Sequence, residues 1–290
     1  MRNPVYPASQ WVAEGDVLNR NNGQRIFYHC GGEGRPILML HGFPTWSYDY
    51  AEVAIALQAD YQVIVPDFLG YGESDKPRGH EFSVDDSADM IEELVRHLDI
   101  KSAHVVLHDY GGIVGQELLD RRKNGRLSFD IESLTLLNFG IVYAAYRPAR
   151  IQKLLAKPII GRFVASRTTK EKLHAGLNRV RGANKLSDAE FDEIWSGVSR
   201  HEGHKLAYRH IRYNNERKIH AARWEEALFS YDGSMSFIWG MADPVSGAHV
   251  LNLARPRLKD SEILELPNVG HFPQSEAPGE VIMAIRSFLK

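Results

Sequence analysis

Apolar residues recur along this chain in two alternating rhythms. Short runs rich in Val, Ile and Leu, at residues 25–30, 37–40, 61–66, 103–107, 131–138, 235–239 and 262–266, have the length and composition of strands. Helical spacing takes over between them. The clearest case opens at Ser83-Val84-Asp85-Asp86, a helix-capping pattern, and places Val84, Ala88, Ile91, Val95 and Leu98 on one face. Strands alternating with amphipathic helices predict an α/β fold: a mostly parallel central sheet flanked by helices.

From residue 143 to 224 the strand rhythm stops. Helical spacing fills the gap, with Phe191, Ile194, Trp195 and Val198 following the capping box Ser187-Asp188-Ala189-Glu190. The expected organisation is therefore one core in two parts, residues 1–142 and 225–290, interrupted by a helical lid at 143–224. The lid is richer in Arg, Lys and His than the rest, so its outer face should be solvated and its inner face should cover a site.

Composition narrows the range of partners. A chain of 290 residues with 43% hydrophobic content can bury one large core and a smaller appended one. With 35 basic and 37 acidic residues the net charge is −2, so the chain as a whole has no long-range field for nucleic acid or an anionic membrane. A small, largely apolar, neutral substrate suits that balance, with the protein a monomer or homodimer. Cys30 is the single cysteine, which excludes an intramolecular disulfide and a Cys-rich zinc pattern. No apolar run approaches the ~20 residues of a membrane span, and the first 13 residues carry no secretory h-region, so a cytoplasmic setting is expected. The Gly-rich segment 66–75 lacks the Gly-Lys-Ser/Thr ending of a phosphate loop and reads as a structural turn. No cofactor or metal is expected.

The chemistry concentrates in four turns. After the run 103–107 comes His108-Asp109-Tyr110-Gly111-Gly112 and then a helical stretch, a strand, sharp turn and helix that would hold one side chain exposed at an elbow. Small residues must follow so that strand and helix can approach, and Gly111 and Gly112 do. Asp109 stands where such elbows usually carry Ser. A carboxylate is ionised at neutral pH without help, and its attack on a saturated carbon gives an alkyl ester that water can hydrolyse. The alternative is that Asp109 only caps the following helix. Asp243 lies in Trp239-Gly240-Met241-Ala242-Asp243-Pro244 and His271 in Asn268-Val269-Gly270-His271-Phe272-Pro273, each after a strand, in the chain order nucleophile, acid, histidine. His271 would take a proton from water and Asp243 would orient its ring. The loop His41-Gly42-Phe43-Pro44 follows the run 37–40, and the amides of Phe43 and Tyr110 are the candidate oxyanion donors.

Along nearly its whole length the chain resembles the α/β-hydrolase superfamily, and within it the branch with an aspartate nucleophile: epoxide hydrolases, haloalkane dehalogenases and the mesoderm-specific transcript proteins. The likeness to the last group rests on His41-Gly42-Phe43-Pro44-Thr45 with Ser47-Tyr48-Asp49, on His108-Asp109-Tyr110-Gly111, on Gln116-Glu117-Leu118-Leu119 and on Asp243-Pro244-Val245. The resemblance implies a hydrolase acting through an alkyl-enzyme ester. Haloalkane dehalogenases place Trp after the nucleophile and often Asn in the His-Gly loop, where this chain has Tyr110 and Phe43; Trp46, Trp195 and Trp224 remain as halide donors for that alternative. Epoxide hydrolases use lid tyrosines as proton donors, and Tyr213-Asn214-Asn215-Glu216-Arg217 followed by Trp224 resembles their second tyrosine motif, which implies that Tyr213 donates. Tyr143, Tyr146 or Tyr208 would supply a second donor and, with His41, contact substrate. Leu107 departs from the small residue epoxide hydrolases keep two before the nucleophile. A protein that keeps the fold and pocket but only binds a ligand is the alternative outside enzymes.

Overall fold

A computed structural model describes residues 6–258 and 261–290. Among them eight strands form one sheet: β1 (Gly15–Asn19), β2 (Arg25–Gly31), β3 (Pro36–Leu40), β4 (Gln62–Pro66), β5 (Ser102–Leu107), β6 (Asp130–Leu137), β7 (Ser234–Gly240) and β8 (Glu262–Leu266), in the order β1-β2-β4-β3-β5-β6-β7-β8. β2 runs antiparallel to β1 and β4, and every pairing from β4 to β8 is parallel. All seven runs expected from the apolar pattern are strands. β1 was not expected: Gly15, Asp16 and Asn19 are poor strand formers, only Leu18 is buried, and the segment is extended through its pairing with β2.

Alternation along the central strands feeds two cores. Leu38 and Leu40 of β3 join one apolar cluster with Val84, Ile91 and Leu118, while Ile37 and Met39 join another with Val53, Leu57, Val281 and Ile285. The helices Val84–His97 and Tyr110–Lys123 therefore cover one face, and Ala51–Leu57 and Pro278–Phe288 the other. Ser83 caps the first as expected, its hydroxyl accepting the Asp86 amide. From β3 the chain moves outward to β4 and then returns to the opposite side for β5, so the carboxyl ends of β3 and β5 form the crevice in which α/β sheets bind ligands.

Between β6 and β7 the described chain is helical throughout, with helices Arg150–Leu155, Pro158–Ser166, Lys170–Val180, Asp188–Ser199, Ala207–His210 and Tyr213–Phe229. The Ser187–Glu190 capping box forms with both of its bonds. The last helix continues past Trp224 and is tied to the core, because the Trp224 indole donates to buried Glu117 at 2.7 Å. Arg121 braces the same region by reaching Asp85, Asp89, Glu92 and Glu117 at 2.6–3.1 Å.

The turn after β5 depends on close backbone approach. A Cβ on Gly111 would lie 2.3 Å from the Leu40 carbonyl oxygen at the end of β3, and neither partner can move without shifting the sheet. Gly111→Ala is expected to cost about 3 kcal/mol through overpacking, read as a lower urea midpoint at unchanged m-value. A variant as stable as the parent would show that the approach is not required.

Candidate active site

Asp109 follows β5 with φ 44° and ψ −110°, a conformation that costs a non-glycine residue free energy and is kept only where the surroundings enforce it. Its amide donates to the Asn138 carbonyl, and the Gly111 amide donates to that of His41. The side chain makes no capping bond to the helix it precedes. Instead Oδ1 accepts the Phe43 amide at 2.8 Å, and Oδ2 stands 3.4 Å from His271 Nε2. The capping alternative therefore does not describe this carboxylate.

His271 Nδ1 lies 2.7 Å from Asp243 Oδ2. That same oxygen accepts the Ser246 amide and hydroxyl at 3.1 and 2.8 Å and the Asn138 amide group at 3.1 Å, while Oδ1 accepts the Val245 amide at 2.7 Å. Burial alone would raise the pKa of both aspartates; facing His271 and their hydrogen-bond donors, they are held below the ordinary carboxylate value instead. For His271 burial opposes the charged form, yet the Asp243 and Asp109 carboxylates lift its pKa well above the usual imidazole value. The two carboxylates thus favour the protonated form of the ring between them.

The loop bearing His271 is anchored from several directions. Glu276 accepts the Gly270 and Phe272 amides at 2.9 and 3.0 Å and the lid Gly182 amide at 2.7 Å. The His271 amide donates to the lid Val180 carbonyl, and its own carbonyl accepts His108 Nε2 at 2.7 Å. Gly270 crosses the end of β7 so tightly that a Cβ on Gly240 would lie 1.9 Å from its carbonyl oxygen, which lets a residue after edge strand β8 reach the crevice at β5.

Above these groups lies a cavity of about 1030 Å³, lined by Phe43, Asp109 and His271 below and by lid residues including Leu155, Val164 and Leu177 above. The core motifs and the inner lid face therefore enclose one space.

A family model described as the alpha/beta hydrolase fold matches residues 35–278. The chain belongs to this family. It is 38% identical over 301 residues to the human mesoderm-specific transcript homolog protein, covering 96% of this chain and 87% of that protein. It is 35% identical over 269 residues to LipZ of Mycobacterium tuberculosis, covering 91% and 92%. Among solved structures it is similar to the epoxide hydrolase CorEH, with a TM-score of 0.75 at 22% identity over 94% of this chain and 97% of that one, a likeness that speaks for the fold.

Within this α/β hydrolase the other expected site residues divide. The Tyr110 amide opens the helix after the elbow, where it has no intrahelical acceptor. Tyr213 packs its ring 5.0 Å from that of Tyr110, and burial followed by the Asp109 charge raises its hydroxyl pKa well above normal. Tyr146 is pushed up to about 12 by burial and by Asp109, with Arg217 opposing. Tyr143 stacks on Tyr146, and Arg217 lies over both rings. None of these three tyrosines lines the large cavity, though the Asp109 charge contributes to the raised pKa of Tyr213 and Tyr146. Tyr208 accepts a bond from Arg209 and does not line it either.

The expectation that His41 meets substrate is corrected. His41 is fully buried, with one ring nitrogen on the Gly42 carbonyl at 2.9 Å and the other accepting the Phe68 amide at 3.1 Å, so its hydrogen-bonding capacity is spent on backbone. Other functional positions were missed. Tyr71 and His210 line the cavity, stacked 4.1 Å apart, and His210 Nε2 is buried without a hydrogen-bond partner among the described residues. Tyr71 sits in the segment read as a structural turn, and its position after β4, at the carboxyl end of a parallel strand, was the available signal. His108, Asn138, Ser246 and Glu276 hydrogen-bond to Asp243 or to the loop of His271, and nothing in the sequence singled them out.

Because the two carboxylates support the charge on His271, Asp109→Asn should lower its pKa by more than about one unit. His41, His104 and His108, whose pKa values burial lowers to about 4, 3 and 3, should stay neutral down to mildly acid pH. The check is an NMR titration of the imidazole nitrogens, and an unmoved His271 in the variant would contradict the coupling. His271, with its folded pKa raised, contributes stability present in full below its unfolded pKa of ~6.5 and lost as pH rises through the folded value.

Proposed function

We propose that this hydrolase opens epoxides through an ester on Asp109 and hydrolyses that ester to a diol. The observation that carries the reading is a carboxylate, rather than a hydroxyl, held at the elbow with Oδ1 on the Phe43 amide and Oδ2 toward His271 at the floor of a cavity. Oδ2 attacks one epoxide carbon, the ring C–O bond breaks, and its electron pair goes to the oxygen. Tyr213, the donor implied by the resemblance to epoxide hydrolases, gives that oxygen a proton. Its ring packs on that of Tyr110, next to Asp109 in the chain, and lies outside the cavity lining, so the substrate oxygen must reach beyond that lining to meet it.

Ester formation removes the negative charge of Asp109. His271 then loses one of its two supports, and its proton returns to the tyrosinate. The neutral ring takes a proton from water, the hydroxide attacks Cγ of the ester, and the oxyanion that forms on Oδ1 meets the Phe43 and Tyr110 amides, each contributing on the order of 3 kcal/mol. Collapse releases the diol, the carboxyl proton passing to the departing oxygen, and leaves Asp109 ionised beside a charged His271. The substrate's own electrostatics thus switch His271 from cation to base.

The donors available favour an epoxide over a halide. Of the three tryptophans considered for a halide, Trp46 donates to the Ile194 carbonyl at 3.0 Å and Trp224 to Glu117 at 2.7 Å, and Trp195 does not line the cavity. A hydroxyl donor suits a developing alkoxide, whereas for a halide none of these three indole N–H groups is both unengaged and on the cavity wall.

Intact-protein mass spectrometry of His271→Gln after incubation with mixed epoxides and alkyl halides should trap a mass increase equal to a whole epoxide. An adduct lacking its halogen would move the assignment to a dehalogenase, and no adduct across a broad set would favour a protein that only binds. Tyr213→Phe should lower kcat on epoxides about a hundredfold, and Asp109→Asn should abolish turnover. Unchanged epoxide turnover in Tyr213→Phe would remove that residue from the proton-donor role.

A further inference from the structure

The near-neutral total charge conceals a strongly polarised surface. Residues 147–172 carry eight Lys or Arg against the single Glu171, a local net charge of +7, while the remainder of the chain, with 27 basic and 36 acidic residues, sums to −9. Arg150, Lys153, Lys157, Arg162 and Arg167 have no carboxylate partner among the described residues.

The same stretch holds an unusual concentration of exposed apolar side chains. Nine large hydrophobic residues are exposed among those described, and five of them, Ile151, Leu154, Ile159, Ile160 and Phe163, fall within thirteen consecutive positions, while the other four are scattered. Ile159 is 87% exposed and Phe163 58%. They project from the consecutive short helices Arg150–Leu155 and Pro158–Ser166. An apolar cluster interspersed with cations cannot be explained as covering the core, and exposed clusters of this kind mark interaction sites.

We infer that this face of the lid docks peripherally on an anionic membrane surface, the apolar side chains entering the headgroup region and the cations meeting lipid phosphates and carboxylates. Long Lys and Arg side chains suit that geometry, because their stems lie along apolar material while their charges stay at the headgroups. No helix among the described residues is long and apolar enough to cross a membrane, so the contact is superficial. A second copy of this chain fits poorly, because a two-fold contact would set one +7 surface against another.

The cavity gives the docking a purpose. Arg150, Ile151, Phe163 and Arg167 belong both to this surface and to the lining of the cavity that ends at Asp109. Docking would therefore place the cavity mouth against the hydrocarbon boundary and admit an apolar, membrane-dissolved substrate directly. The surface stands on charge and exposure alone; only the use of this route by an epoxide rests on the function proposed above.

The test is co-sedimentation of the full chain with phosphatidylcholine vesicles and with vesicles containing about 30 mol % phosphatidylserine, in about 0.1 M and about 0.5 M salt, without substrate. Binding should require phosphatidylserine and weaken at the higher salt. Lys153→Gln/Lys157→Gln/Arg162→Gln should weaken it about a hundredfold, at roughly fivefold per cation, and Ile159→Ser/Ile160→Ser by at least about tenfold. Matching circular dichroism and thermal midpoints would exclude misfolding of these surface variants. No binding, equal binding to both vesicle types, or variants that bind like the parent would overturn the inference. A lipid-free dimer in sedimentation velocity that Ile159→Ser/Ile160→Ser dissolves would overturn it in favour of self-association. Vesicle binding needs no turnover, so its failure is distinguishable from failure of the epoxide reading.

Discussion

Removing a carboxylate or an imidazolium from water costs several kcal/mol per ion unless other groups replace the lost hydration. Asp109, His271 and Asp243 are all taken largely out of water, and much of the surrounding structure supplies that replacement. Asp243 receives two backbone amides, a serine hydroxyl, the Asn138 amide group and the imidazole. Asp109 receives the Phe43 amide and faces the charged ring. The order of charges, negative, positive, negative, makes the set mutually stabilising, and it also makes the middle group respond to any change in the charge of the first.

That coupling suits a reaction in two stages. The ionised Asp109 carboxylate favours the protonated form of His271; in the reaction proposed above, esterification would remove that support and free the ring to accept a proton. A hydroxyl nucleophile would need the histidine neutral from the outset, so under the proposed mechanism an aspartate at the elbow would change both the bond that forms and the resting charge of its neighbour.

The lid has two distinct faces. Its inner face is structural to the site: the Val180 carbonyl and Gly182 amide engage the His271 loop and Glu276, and Arg181 reaches Ser275 at 2.8 Å. Its last helix is joined to the core through Trp224, Arg223 and Glu117. Its outer face around Ile159 and Phe163 is exposed, apolar and basic. Inner contacts hold the His271 loop in place, while among the described residues the outer surface makes no comparable contact to the core.

The sequence by itself determined the fold class, seven of the eight strands and the chain order of Asp109, Asp243 and His271, because apolar period and turn chemistry are local properties that survive without tertiary context. The Phe43 amide was legible for the same reason, its loop following β3 directly. β1 was not, because its extended shape comes from pairing rather than from its own residues. Only the tertiary structure decided which tyrosines line the cavity, that His41 is spent on backbone, and that His108 and Asn138 bond across the chain to His271 and Asp243. Those contacts depend on which side chains converge at the carboxyl ends of adjacent parallel strands, and a hydrogen bond between residues a hundred or more positions apart leaves no periodic trace. Ser246 and Glu276 bond within a few positions of Asp243 and His271, in turns whose shape the residues alone do not fix. The charge total likewise averaged away the basic face of the lid, whose importance lies in where the cations stand relative to exposed apolar groups.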